Sequence, residues 1–367
     1  MLSTYKFNKS QTASRLLLSA AVLLLATALF ALPAAAQSAQ ATILTSDIVN
    51  ISANTDANLV NPWGMSSSPS GPWWVSDNGT GLSTLYDATG APQGLVVTIP
   101  PASGTGTGSP SGQVYNGTTD FKILGTPAHF IFVTEDGTIS GWYTGTSAEI
   151  VVNNNPGAVY KGIALASAGG ANYLYVANFR NASVDVFDAN FAPHSFGSGA
   201  FQDSTIPMGY APFNVANIGG GKLAVTYAKQ DPAKHDDVKG PGNGYLDIFD
   251  TSGNLVRRFQ HNVFLNSPWA VVMAPATGFG GFSGDLLVGQ FGSGAIVAYN
   301  PTTGNLAALL LDPNILQLQI NGLWGLGFGN GGTAGPTTTL FFTAGVFGEA
   351  HGLFGSIVAL PGRPPRQ

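Results

Sequence analysis

The sequence predicts an all-β chain folded as a six-bladed β-propeller, and three observations carry that expectation. A short alternating strand, a turn and a second alternating strand recur six times along the chain. Val75 and Phe342, equivalent anchors in the first and sixth copies, are five intervals and 267 positions apart (342 − 75), a mean period of about 53 residues. That is somewhat longer than the blades of common propellers. The 49 Gly and 23 Pro, with 11% aromatic and 9% charged residues, suit many short strands joined by tight turns.

In chain order, the first strands of the pairs end at Asp77, Glu135, Asn178, Tyr227, Gln290 and Ala344. Their partners are expected at Ser83–Asp87, Thr138–Trp142, Ser183–Asp188, Tyr245–Asp250, Ala295–Tyr299 and Ser356–Leu360. Asp87–Gly90, Asp250–Gly253 and Asn300–Gly304 place an Asx residue first and Gly last, as tight turns require. They lead into outer strands predicted at Leu95–Ile99, Leu255–Phe259 and Leu306–Leu311. Inner strands are predicted to start at Trp63, Lys161, Phe213, Trp269 and Trp324, three of them just after Pro62, Pro212 and Pro268. Blade two lacks an obvious equivalent, so its inner strand is placed at Phe121–Leu124, after a Gly/Ser/Thr/Pro-rich excursion at Ala102–Gly117. Blade six has no outer strand of its own, and Thr42–Val49 is predicted to supply it and close the ring.

Residues 1–36 read as a signal peptide. Lys6, Lys9 and Arg15 precede the apolar run Leu16–Leu32 and the small residues Ala34-Ala35-Ala36, with a second small-residue site at Ala39-Gln40-Ala41. An uncleaved membrane anchor is the alternative. Residues 37–360 are then one propeller domain, secreted or periplasmic, and 361–367 a short tail. Removing the three basic residues of the leader leaves 11 basic against 19 acidic groups, which gives no electrostatic reason to bind nucleic acid or an anionic membrane. With no cysteine, the domain is held by packing alone. A monomer is expected.

The starts Asn61-Pro62-Trp63-Gly64 and Ser267-Pro268-Trp269, with the strand ends at Ser76-Asp77-Asn78 and Ala177-Asn178-Phe179, resemble NHL-type propeller repeats. The longer strings Thr134–Trp142, Tyr227–Gly244 and Glu349–Phe354 resemble an uncharacterised family of exported bacterial propellers. Some members of that family end in a Pro-Glu-Pro sorting tail, whereas Pro361–Arg366 lacks the tripeptide, so no cell-surface anchor is implied. The resemblance carries no activity.

In a propeller, the connections entering the inner strands and those joining second to third strands open on one face. Two residues past each second-strand anchor, Asp77, Glu135, Asn178 and Gln290 put oxygen ligands at equivalent places, a pattern suited to a hard cation such as calcium. The same residues also serve to cap strand ends. On that face the blade-four loop concentrates Lys229, Asp231, Lys234, His235, Asp236, Asp237 and Lys239, and the blade-six loop carries Glu349 and His351. A His beside carboxylates suits metal binding or general base work, and three Lys with three Asp equally suit a self-neutralised solvated loop. Trp63, Phe213, Trp269 and Trp324, with Lys161 as the odd member, are expected as a collar at the channel, for stacking or for packing. HExxH, GxSxG and Walker patterns are absent from the sequence. Two functions follow: a non-catalytic binding module for an extracellular glycan, peptide or small molecule, or a calcium-type metal-dependent hydrolase or lactonase. The sequence leaves the choice between enzyme and binder open.

Overall fold

The computed structural model describes residues 38–361, and the predicted signal peptide lies outside them. Six sheets, antiparallel except where Asn54–Thr55 pairs parallel at the edge of the sixth, are arranged as the blades of a propeller. From inside outward, blade one is Pro62–Ser67, Trp73–Asp77, Leu82–Tyr86 and Val97–Thr98. Blade two is Pro110–Tyr115, Phe130–Thr134, Thr138–Trp142 and Glu149–Asn153. Blade three is Tyr160–Ala168, Ala171–Asn178, Ser183–Phe187 and Pro193–His194. Blade four is Tyr210–Gly219, Lys222–Lys229, Gly244–Asp250 and Leu255–Arg258. Blade five is Pro268–Met273, Leu286–Gln290, Ile296–Tyr299 and Leu306–Leu309. Leu323–Phe328, Leu340–Gly345 and His351–Ala359 begin blade six.

Second strands such as Trp73–Asp77, Phe130–Thr134 and Leu286–Gln290 are buried along their whole length, because each blade covers its neighbours on both faces. The core therefore lies in wedges between blades. Trp74 stacks on Phe130 between blades one and two, and Tyr86 on Phe354 between blades one and six.

Blade six is completed by Ala39–Ser46, antiparallel to His351–Ala359 with Ala39 opposite Ala359 and Ser46 opposite Leu353. The predicted closure is observed, three residues earlier than the expected Thr42–Val49. The strand ends where Asp47 turns aside to accept hydrogen bonds from the Gly352 backbone (2.9 Å) and from His351 Nδ1 (2.7 Å). Val49 is solvent-exposed.

Blade two corrects the sequence reading. Its inner strand is Pro110–Tyr115, inside the stretch taken for a surface excursion, whereas Lys122–Ile123 forms a small hairpin with Thr126–Pro127. Inner strands crowd the axis, so they need a small residue where they cross. A Cβ on Gly112 would lie 2.8 Å from the Gly162 Cα, and one on Gly64 2.6 Å from the Ser111 carbonyl. The outer strands are shorter than predicted: Val97–Thr98 replaces Leu95–Ile99 and Leu306–Leu309 replaces Leu306–Leu311.

Candidate functional site

The loops entering the inner strands and those joining second to third strands place the distinctive chemistry at one mouth of the channel. Asn61, Ser267 and Gly322 each precede an inner-strand Trp by two positions and share a left-handed backbone (φ 47°, 48° and 69°). That turn swings Trp63, Trp269 and Trp324 over the axis, where they are at most 5% exposed. The rings form a column. Trp63 stacks on Trp324 (3.6 Å between centroids), and Trp324 stacks on Phe291 (3.7 Å). Trp269 meets both Trp rings edge-on, and Phe213 flanks Trp324. An ammonium lies at each end: Lys161 Nζ 5.1 Å from the Trp63 ring and Lys239 Nζ 3.8 Å from the Phe291 ring. The predicted collar is thus a filled floor.

Above this floor a continuous run of polar side chains crosses five blades. Asn61 Nδ2 donates to Glu349 Oε2 (3.0 Å) and to Asn78 Oδ1 (3.2 Å). Asn78 Nδ2 donates to Glu135 Oε2 (2.8 Å). Lys161 then pairs with Glu135 Oε1 and, at 3.3 Å, with Asp236 Oδ1, which lies 2.9 Å from His235 Nδ1. Lys161 occupies the Trp position of its blade and is 1% exposed, a burial an ammonium tolerates only when paired.

Burial alone would lower the Lys161 pKa, but the charges of Glu135 and Asp236 override it and hold the group above its ordinary value, as a fixed cation. The hydrogen bond with His235, helped by the Lys161 charge, pulls Asp236 down to about 2, and the same bond raises His235. Burial raises Asp237 and Glu349, against the opposing pull of Lys239 on each.

The blade-four loop is laid across the mouth. Asp231 Oδ1 accepts from the backbone N–H of His235 (2.8 Å) and Asp236 (3.2 Å), and the Gln230 amide donates to the Phe179 carbonyl. Lys229 and Lys234 stay exposed. His351 faces Asp47 at the ring seam.

Of the four proposed cation ligands, Glu135 alone joins this cluster. Asp77 is fully buried, accepts from Thr84 Oγ1 (2.7 Å), and has its pKa raised by burial, which disfavours the charged form that a cation ligand needs. Asn178 donates to Asp185 (2.8 Å), and Gln290 accepts from the Asn266 backbone N–H (2.9 Å). Among the described residues, Glu135, His235 and Asp236 bring ligand atoms within 4.8 Å of one another. The Lys161 ammonium is already bonded to both carboxylates of that triad. Asn61, Asn78 and Phe291 were missed as site members because each reads as strand or turn punctuation. Lys239 was legible as part of the charged loop, but its seat on an aromatic ring was not.

None of the known protein-family models matches the chain. It is 33% identical over 333 residues to an uncharacterised protein of Acanthamoeba polyphaga mimivirus, covering 86% of this chain and 78% of that protein. A second uncharacterised protein of the same virus is 32% identical over 327 residues, covering 84% and 82%. Among solved structures, virginiamycin B lyase from Staphylococcus aureus aligns with 88% of this chain and 100% of its own at a TM-score of 0.51 and 10% identity, a likeness of fold. On sequence and architecture together, the chain belongs to one family of six-bladed β-propellers with these uncharacterised mimiviral proteins.

Proposed function

We propose that the protein is a non-catalytic ligand-binding propeller whose site is the polar mouth between the blade-four and blade-six loops. The observation that carries the reading is the unbroken run from Glu349 through Asn61, Asn78, Glu135, Lys161 and Asp236 to His235. Such a run fixes donors and acceptors before any ligand arrives, and preorganisation lowers the cost of binding. Calcium fits poorly: it takes six to eight oxygens, and here the two nearest carboxylates already neutralise an ammonium. The metal-dependent hydrolase or lactonase is therefore the weaker reading.

Ligand-observed NMR with a panel of amines, sugars and short peptides tests the proposal. A binder should weaken about tenfold in Glu349→Gln and in Glu135→Gln, the loss of one charge-assisted hydrogen bond. Binders indifferent to both substitutions would place the site elsewhere. Calcium added to chelator-treated protein should leave the melting temperature unchanged, and a rise would revive the metal reading.

We extend the proposal to location. Export with cleavage after Ala36 leaves the closing strand Ala39–Ser46 whole, whereas cleavage after Ala41 would cut it. The intact mass of exported protein should match a chain beginning at Gln37; a full-length mass in the membrane fraction refutes it.

A further inference from the structure

Lys239 stands out in the mouth. It is an exposed side chain in a surface loop, yet its ammonium is seated 3.8 Å from the centre of the Phe291 ring, whose other face is covered by Trp324. Phe291 is 3% exposed, so the ammonium occupies its available face. Two carboxyl groups feel the Lys239 charge: Asp237 from the same loop and Glu349 from the blade-six loop. Asp237 Oδ2 is buried without a hydrogen bond of good geometry, although the Ser267 hydroxyl lies close enough to oppose the upward push of burial on its pKa.

An aromatic face with carboxylates around it is the arrangement that recognises organic cations, because the ring quadrupole and the negative charges act on the same group. The mouth as a whole sets four carboxyl groups, Glu135, Asp236, Asp237 and Glu349, against two ammonium groups, Lys161 and Lys239, and the His235 imidazole, whose pKa Asp236 raises. These two ammonium groups are not equivalent. Lys161 is buried and bonded to two carboxylates, whereas Lys239 is carried by a loop and has no hydrogen-bonded carboxylate among its contacts.

We propose that the Phe291 face with Asp237 and Glu349 is a subsite for a small organic ammonium, and that Lys239 is its built-in occupant, displaced when such a ligand binds. This rests on the reading of the mouth as the ligand site and names the ligand's chemical class. Displacement sets a threshold: the ligand ammonium must outbid a tethered one, so a simple cation binds the native chain weakly. The lysine leaves by rotation of its own four-carbon stem, with Asp231 and Gln230 still anchoring the loop.

Choline, followed by calorimetry or ligand-observed NMR at constant ionic strength, tests the proposal. Lys239→Ala should bind choline at least about tenfold more tightly than the native chain, and Lys239→Gln, which keeps the stem, should show the same direction. Within Lys239→Ala, 3,3-dimethylbutanol, the neutral isostere of choline, should bind at least about tenfold more weakly than choline itself. Adding Phe291→Leu to Lys239→Ala should remove the gain. Unchanged choline affinity in both folded Lys239 variants overturns the proposal, as does equal affinity for choline and its neutral isostere. If instead another member of the amine, sugar and peptide panel binds in a Glu349-dependent way, the mouth stands as the site and the ammonium subsite falls.

Discussion

A chain that begins at Asp47 will not fold to a soluble propeller, whereas one that begins at Ser38 will. Ala39–Ser46 is the fourth strand of blade six and the one segment bonded along the outer edge of His351–Ala359. Without it that nine-residue strand presents a bare row of N–H and C=O groups, the template for intermolecular pairing. The loss is also internal. Ser46 Oγ donates to the Gly352 carbonyl (3.1 Å), and fully buried Ala39 belongs to the largest apolar cluster. In a ring, opening one seam removes a constraint from every blade, so the expected readout is aggregation, or loss of the cooperative transition, in place of a small drop in melting temperature. A peptide spanning residues 38–55, added during refolding, should restore soluble protein. A truncated monomer with the native melting temperature would show that the strand is an ornament on an already closed ring.

Stability should fall as pH rises from about 4 to 8, and Asp247→Asn should flatten that fall. Asp247 lies 3% exposed on the third strand of blade four, and burial, then the charge of neighbouring Asp203, push it up to about 8. Asp203 itself is held at about 2, where burial is outweighed by its pairing with Arg258. The folded chain thus keeps a proton on Asp247 that the unfolded chain releases above its ordinary value near 4. The native state binds more protons throughout that window, so stability declines with pH, by about 1.4 kcal/mol per unit for one proton, and levels off once the folded group has ionised. Over the window the sum is on the order of 5 kcal/mol. Asparagine preserves the shape and the donor toward Asp203 without the ionisation. Burial raises Asp77 as well, which contributes with the same sign, so Asp77→Asn should remove a second part of the slope. Denaturant unfolding at several pH values measures both. A slope unchanged in Asp247→Asn would mean that the group is already ionised in the native state.

The blades were legible because a strand buried on both faces and bounded by turns leaves a local trace, as at Phe130–Thr134 and Leu340–Gly345. Blade two's inner strand escaped because the trace relied on was aromatic. Pro110-Ser111-Gly112 repeats the Pro-x-Gly of Pro62-Trp63-Gly64, but Ser111 stands where Trp is expected. The signal was the glycine, demanded by backbone crossing backbone at the axis, and the bulky neighbour was dispensable.

The site was legible in outline only. Counting along second strands is one residue out in blade two: Thr134 pairs with Pro110 as Asp77 pairs with Pro62 and Gln290 with Pro268, so Glu135 corresponds to Asn78 and Phe291, one step past the strand end, where side chains reach the mouth. Glu135 lies past its strand end and finds Lys161 because blade three places a lysine where four other blades place an aromatic ring and blade two a serine, while Asp77 lies within its strand and finds Thr84 in its own blade. Which partner lies across a blade boundary depends on packing between segments tens to hundreds of residues apart, as Asn61 and Glu349 illustrate. No local spacing encodes that.

The stacked Trp63 and Trp324 belong to blades one and six, on the two sides of the seam that the amino-terminal strand closes. Indole rings 3.6 Å apart share their excited states, so the pair acts as one chromophore whose circular dichroism in the near ultraviolet depends on their separation and twist. The molecule therefore carries an optical gauge of its own annular integrity. A parting of blades one and six extinguishes the coupled signal even where every blade keeps its strands, distinguishing an opened ring from a melted one.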